Sequence, residues 1–113
     1  MSIVKKDYYD NGNLLYVRYY HNNLSHREDG PCYVEYDDDG SLAMENWMIN
    51  GKYHRVYGPA VIIYNRHEHN YEKWFYMNIN YTYEAKEWLK ENNFKSWKNM
   101  SEGDFNQMWM ELL

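Results

Sequence analysis

The chain has 113 residues, enough for one compact domain. Twelve Lys and Arg against 17 Asp and Glu leave a net charge of −5. That balance argues against a general nucleic-acid or anionic-membrane binder, whose affinity is built from clustered cations. No apolar run approaches the ~20 residues needed to cross a bilayer. Met1-Ser2-Ile3-Val4-Lys5-Lys6-Asp7 has no apolar stretch of a secretory signal, and the lone Cys32 has no partner for an internal disulfide. The expectation is a cytoplasmic domain in a reducing compartment.

Aromatic residues make up 19% of the chain, and 14 of them are tyrosines. Tyrosine buries a large ring while offering its hydroxyl to water or a partner, so this composition suggests sheets with at least one wet face.

The chain repeats itself. His26-Arg27-Glu28-Asp29-Gly30-Pro31 recurs as His54-Arg55-Val56-Tyr57-Gly58-Pro59, an offset of 28 residues. The same offset links Tyr8, Tyr36 and Tyr64, then Gly12 and Gly40, and Val34 and Ile62. It also suggests an aromatic series Tyr19, Trp47, Phe75 and a turn series Asn22, Asn50, Asn78. A fixed period of this size means stacked supersecondary units. Pro31 to Tyr36 and Pro59 to Tyr64 are β-branched and aromatic runs opened by Gly-Pro, and they read as strands. Asp10-Asn11-Gly12-Asn13 and Asp37-Asp38-Asp39-Gly40 supply turns. The returning strands are Leu14 to His21, Leu42 to Ile49, and about Tyr71 to Met77.

After the last unit the period changes to that of helices. Thr82 is placed to cap one in which Ala85, Trp88 and Leu89 share a face. Ser101 is placed to cap a second, with Phe105, Met108, Trp109 and Leu112 on its stripe and Asn92-Asn93 as the break between them. Neither is long enough to stand alone in water, so both must lie on the sheet and end the stack. The predicted fold is α+β: an antiparallel β-meander of tandem 28-residue hairpin repeats over residues 8–78, capped by two C-terminal helices over 81–113, in one domain spanning 1–113.

The H-R-x-x-G-P motif followed by a short V/I-x-Y strand resembles the HREDGPA-type repeat of uncharacterised proteins in large DNA viruses and phages. Tyr36-Asp37-Asp38-Asp39-Gly40 with a later aromatic-x-x-Asn turn also resembles, distantly, a MORN-type repeat. The resemblance covers about residues 8 to 78. It implies a repeat β-sheet in a viral accessory protein, and it names no reaction.

A catalytic reading would take His26-Arg27 and His54-Arg55 as base and phosphate clamp. Their recurrence at equivalent positions is what a structural loop does. His26, Arg27, Gly30, Pro31, His54, Arg55, Gly58 and Pro59 are therefore read as the structural repeat. His67-Glu68-His69 falls on a turn and lacks the helical spacing of zinc hydrolases, and Asp37-Asp38-Asp39 lacks the pattern of a calcium loop. No catalytic set, metal or cofactor is expected, and Cys32 reads as a packing residue.

What remains is an aromatic sheet face with an acidic rim: Tyr16, Tyr33, Tyr36, Tyr64, Trp74 and Tyr76, with Asp37, Asp38 and Asp39. The expected function is a non-enzymatic protein–protein interaction module, a viral or phage accessory protein that binds and occludes a host defence protein. The alternatives are a self-assembling virion component and, behind it, a phosphoesterase at the His-Arg corners. The expected partner is a host protein, with a homo-oligomer as the second expectation and no membrane or nucleic acid.

Overall fold

A computed structural model describes all 113 residues. β1 (Ser2–Tyr8) and β2 (Leu14–His21) form the first hairpin, and β3 (Leu24–Ser25) folds back on the end of β2. β4 (Tyr33–Tyr36) pairs with β2 and turns into β5 (Leu42–Asn46), after which β6 (Met48–Ile49) and β7 (Lys52–Tyr53) make a small flap. β8 (Val61–Ile63) and β9 (Tyr71–Lys73) repeat the pattern, with β10 (Phe75–Tyr76) and β11 (Ile79–Asn80) as the next flap. Helix α1 (Thr82–Glu91), a 3-10 turn over Trp97–Asn99 and helix α2 (Glu102–Leu112) complete the chain. The main sheet runs β1-β2-β4-β5-β8-β9, antiparallel throughout. The architecture is the α+β meander with two C-terminal helices that the sequence predicts. No helix is long and apolar enough to cross a membrane.

The period is visible in the backbone. Each flap turns on two residues at positive φ: Asn22 and Asn23, then Asn50 and Gly51, then Met77 and Asn78. Two such residues make the tight turn whose twist matches the flanking strands, and Asn and Gly tolerate it best. Leu15 and Ala43, 28 residues apart, are the extra residues of two equivalent β-bulges.

The third unit is one residue shorter. Ile63 lies opposite Tyr71, where an unbroken period would require the residue after it. This corrects the aromatic series. The amides of Tyr19 and Trp47 donate to Cys32 and Ala60 carbonyls of the next strand, and their own carbonyls accept from His26 and His54. In the third unit the carbonyl that accepts from Tyr81 belongs to Trp74, so Trp74 rather than Phe75 continues the series. Met77 likewise takes the place of Asn22 and Asn50, and Asn78 that of Asn23 and Gly51.

Thr82 explains how the stack ends. Tyr81 occupies the N-cap position of α1 without a side-chain cap bond, so Thr82 is not the cap that its residue type suggests. Instead its hydroxyl accepts the Trp74 amide at 2.9 Å, where a further strand would have offered a carbonyl, and donates to Asn80 Oδ1. Ser101 does cap α2, in a reciprocal box with Asp104. Both helices lay their stripes on the last unit: Ala85, Trp88, Phe105, Met108 and Trp109 close around Trp74 and Met100.

The register also assigns the two sheet faces. Lys6, Val17, Val34, Glu45, Ile62 and Glu72 lie opposite one another across the six strands. Side chains alternate, so Cys32, Ala60 and Trp74 share that side. Every buried residue of the sheet is there. On the other side run Lys5, Arg18, Tyr33, Asn46, Val61 and Lys73, beside Asp7, Tyr16, Glu35, Met44, Ile63 and Tyr71. None of these is buried. The molecule is a slab of 46 × 37 × 20 Å with one covered and one uncovered sheet face.

Candidate functional site

The His-Arg corners are built to hold units together. The Nδ1 of His26 accepts the Asn50 amide at 2.9 Å, and that of His54 accepts the Met77 amide at 3.0 Å, so each imidazole grips the flap turn of the following unit. Each guanidinium lies over the aromatic ring of its own unit: Arg27 is 4.1 Å from the Tyr19 centroid and Arg55 3.8 Å from that of Trp47. Each also donates to the carbonyl of the corner proline, Pro31 or Pro59. Gly30 and Gly58 are glycines because the guanidinium occupies the space of a side chain. A Cβ would come within 2.8 Å of Arg27 Cζ at the first and 2.9 Å of Arg55 Cζ at the second.

The two corners differ in their surroundings. Arg27 pairs with exposed Asp29 at 3.2 Å. Arg55 has Tyr57 at that position and lies instead between Trp47 and Trp97, whose centroid is 5.1 Å away. Burial lowers its pKa to about 10 despite the attraction of Glu45, Tyr64 and Glu72. Tyr64 is pushed up to about 12, by burial first and then by Glu45. The Trp97 indole donates to Glu72 at 2.8 Å, which ties the cap to β9 beside this cluster.

His54 carries a pH dependence. A backbone amide only donates, so the Nδ1 that accepts Met77 must be unprotonated, and burial lowers the ring's pKa from 6.5. The native state therefore binds fewer protons than the unfolded chain as pH falls below 6.5. The contribution is complete above that value and is lost as the ring protonates. The urea midpoint should decline on acidification below pH 6.5, and His54→Gln should flatten that part of the profile. An unchanged slope in the variant would assign the decline to other groups.

The uncovered face carries a different chemistry. Arg18 lies 5.3 Å from the Tyr16 centroid and 4.7 Å from that of Tyr33, and the two rings stack at 6.0 Å. Lys5 sits over Tyr20 and Lys73 over Tyr71. The Tyr33 hydroxyl donates to Glu35 at 2.6 Å. Met44 and Ile63 lie opposite each other on the row that also carries Tyr16 and Tyr71. The result is a ladder of rings with cations already seated on them.

The aromatic set named from the sequence does not form one surface. Tyr16 and Tyr33 lie on the uncovered face, whereas Tyr36 and Tyr64 alternate onto the covered one. Trp74 is only 1% exposed, and Tyr76 packs on Trp109 with centroids 5.1 Å apart. Both therefore belong to the core under the cap, a correction caused by the shortened third unit and the helices on its end. Asp37, Asp38 and Asp39 are exposed at the β4–β5 turn. There the Asp38 carbonyl accepts Asn11 and Asn13, and Asp39 pairs with Arg66. Arg18, Tyr20 and Tyr71 also lie on the uncovered face, beyond the set that the sequence predicts. Period-two spacing from Tyr16 would have found Arg18 and Tyr20.

Cys32 is buried, and burial pushes its thiol pKa up, the opposite of an activated nucleophile. His67 and His69 are exposed in the β8–β9 loop, and no three His, Cys, Asp or Glu side chains converge as a metal site would require. No protein-family model, curated protein or solved structure matches the chain.

Proposed function

We propose that this chain is a protein-binding module that docks a partner on the uncovered face of its sheet. The observation that carries the reading is a six-strand face with no buried residue that nonetheless presents Tyr16, Tyr20, Tyr33, Tyr71, Met44 and Ile63. Tyrosine supplies large contact area for little rotamer entropy, and methionine adapts to irregular partners. The seated cations and stacked rings hold the face in shape before binding, which lowers the ordering cost of a complex. The exposed Asp37 and Asp38, in a chain of net charge −5, favour a basic approach surface through long-range steering. The resemblance to repeats of large DNA viruses and phages supports a host protein as the occupant, with occlusion as the mechanism.

Two features favour this reading over self-assembly. The open edge of the sheet, β1, carries Lys5 and Lys6, and charged residues on an edge oppose strand addition. At the other end Thr82 already takes the Trp74 amide. Against a phosphoesterase stands the engagement of the corner groups: each His accepts a backbone amide, and each Arg is spent on a ring and a carbonyl.

The test begins with capture and identification of the partner from host lysate, followed by Kd measurement with the purified pair. Tyr16→Ala/Tyr33→Ala should keep the wild-type fold and weaken binding by about 100-fold, as central aromatic anchors do. Undiminished affinity in the folded variant would remove this face from the interaction and the proposal with it.

A further inference from the structure

A cleft of about 720 Å³ lies away from the uncovered face, between β9 and the helical cap. Lys86, Lys90, Lys95 and Lys98 all line it. They are four of the chain's 12 Lys and Arg, gathered in one place on a protein of net charge −5. None is within 4.0 Å of a carboxylate: the ion pairs of the molecule involve His26, Arg27 and Arg66. The one acid in the wall is Glu72, and it accepts the Trp97 indole.

Lys86 and Lys90, four apart, share one stripe of α1, while Glu84, Glu87 and Glu91 fall on another. A like-charge pair at that spacing weakens a helix, and Glu87, three residues before Lys90, is the nearest acid on α1 to either lysine's stripe. Such a gathering is offset when an anion enters. Leu89 and Phe94 also line it, and the Phe94 ring stacks on Trp88 at 12°. Lysine ammonium groups match phosphate oxygens, and apolar side chains such as Leu89 and Phe94 match a ring.

We propose that this cleft binds a nucleoside polyphosphate, with its base on Leu89 and Phe94 and its phosphates on the four lysines. The site is independent of the protein-docking face, so either can fail without the other. Titration calorimetry with ATP, inorganic tripolyphosphate and adenosine, in low and moderate salt, tests it. ATP should bind saturably and at least tenfold tighter than either fragment, and salt should weaken it. Lys90→Gln/Lys98→Gln, both exposed and outside the core, should lower ATP affinity by tenfold or more with unchanged circular dichroism. Lys6→Gln/Lys52→Gln, on distant strands, should leave it intact. Absence of saturation by millimolar ATP, or equal loss in both double variants, would overturn the site. Tripolyphosphate binding as tightly as ATP would overturn the assignment of a nucleoside.

Discussion

Arg55→Ala should cost about 3 kcal/mol of folding stability in urea unfolding, whereas Arg27→Ala at the equivalent corner should cost about 1 kcal/mol. The sequence motif is the same, and the difference comes from what has grown around it. Arg27 has one ring beneath it and a solvent-exposed aspartate beside it, and its side chain is 30% exposed. Arg55 lies near two indoles, 3.8 Å and 5.1 Å from their centroids, and is attracted by Glu45, Tyr64 and Glu72. Its removal takes away the charge that attracts half-buried Glu45 and Glu72, unstacks Trp97 from the sheet and loosens the cap. Arg55→Met separates the contributions, because it keeps the stem packing while deleting the charge. It should recover no more than a minor part if the carboxylates dominate. Equal losses at the two corners would mean that the Trp97 side of the sandwich adds nothing.

That asymmetry shows what the chain discloses before folding and what it withholds. The corners and hairpin strands are written locally: H-R-x-x-G-P demands a glycine because the arginine folds into the glycine's space, and Gly-Pro opens a strand. These are contacts within a few residues, so a period of 28 displays them. The single deletion in the third unit is not marked by any residue, and it moved Trp74 into the position assigned to Phe75. Nor does residue type distinguish a threonine that caps its own helix from Thr82, which receives an amide from eight residues upstream. β1 was legible only as Tyr8, because its pattern Ser2-Ile3-Val4-Lys5-Lys6-Asp7 is polar at both faces, as suits an exposed edge.

The candidate surfaces follow the same division. Alternation within a strand states which residues share a face, and it groups Tyr16 with Arg18 and Tyr20. It does not state which face the chain will cover. That choice is made by the corners, whose arginines fold over Tyr19 and Trp47, and by the helices that close on Trp74. Only 15 of 113 residues are buried, too few for both faces to be lined by core. The lysine cleft was hidden for a related reason: its cations come from α1 and the segment after it, and they meet only when the cap docks against β9.

Gly58→Ala should be as damaging as the loss of Arg55, at about 3 kcal/mol, while Gly30→Ala should cost about 1 kcal/mol. Gly58 has φ of +150°, a conformation that L residues rarely adopt, and Gly30 does not share it. The new methyl group at 58 would also meet two obstacles, Arg55 Cζ at 2.9 Å and Trp97 Cζ3 at 3.0 Å. The guanidinium cannot yield without leaving Trp47, and the indole cannot yield without breaking its bond to Glu72. At 30 the only obstacle is Arg27, whose exposed side chain can swing toward solvent. Because the clash with Arg55 is one part of the strain at 58, Gly58→Ala added to Arg55→Ala should cost less than the sum of the two singles. Additive losses in that double variant would show that the backbone conformation and Trp97 set the requirement for glycine, and that the arginine's occupancy of its space is incidental.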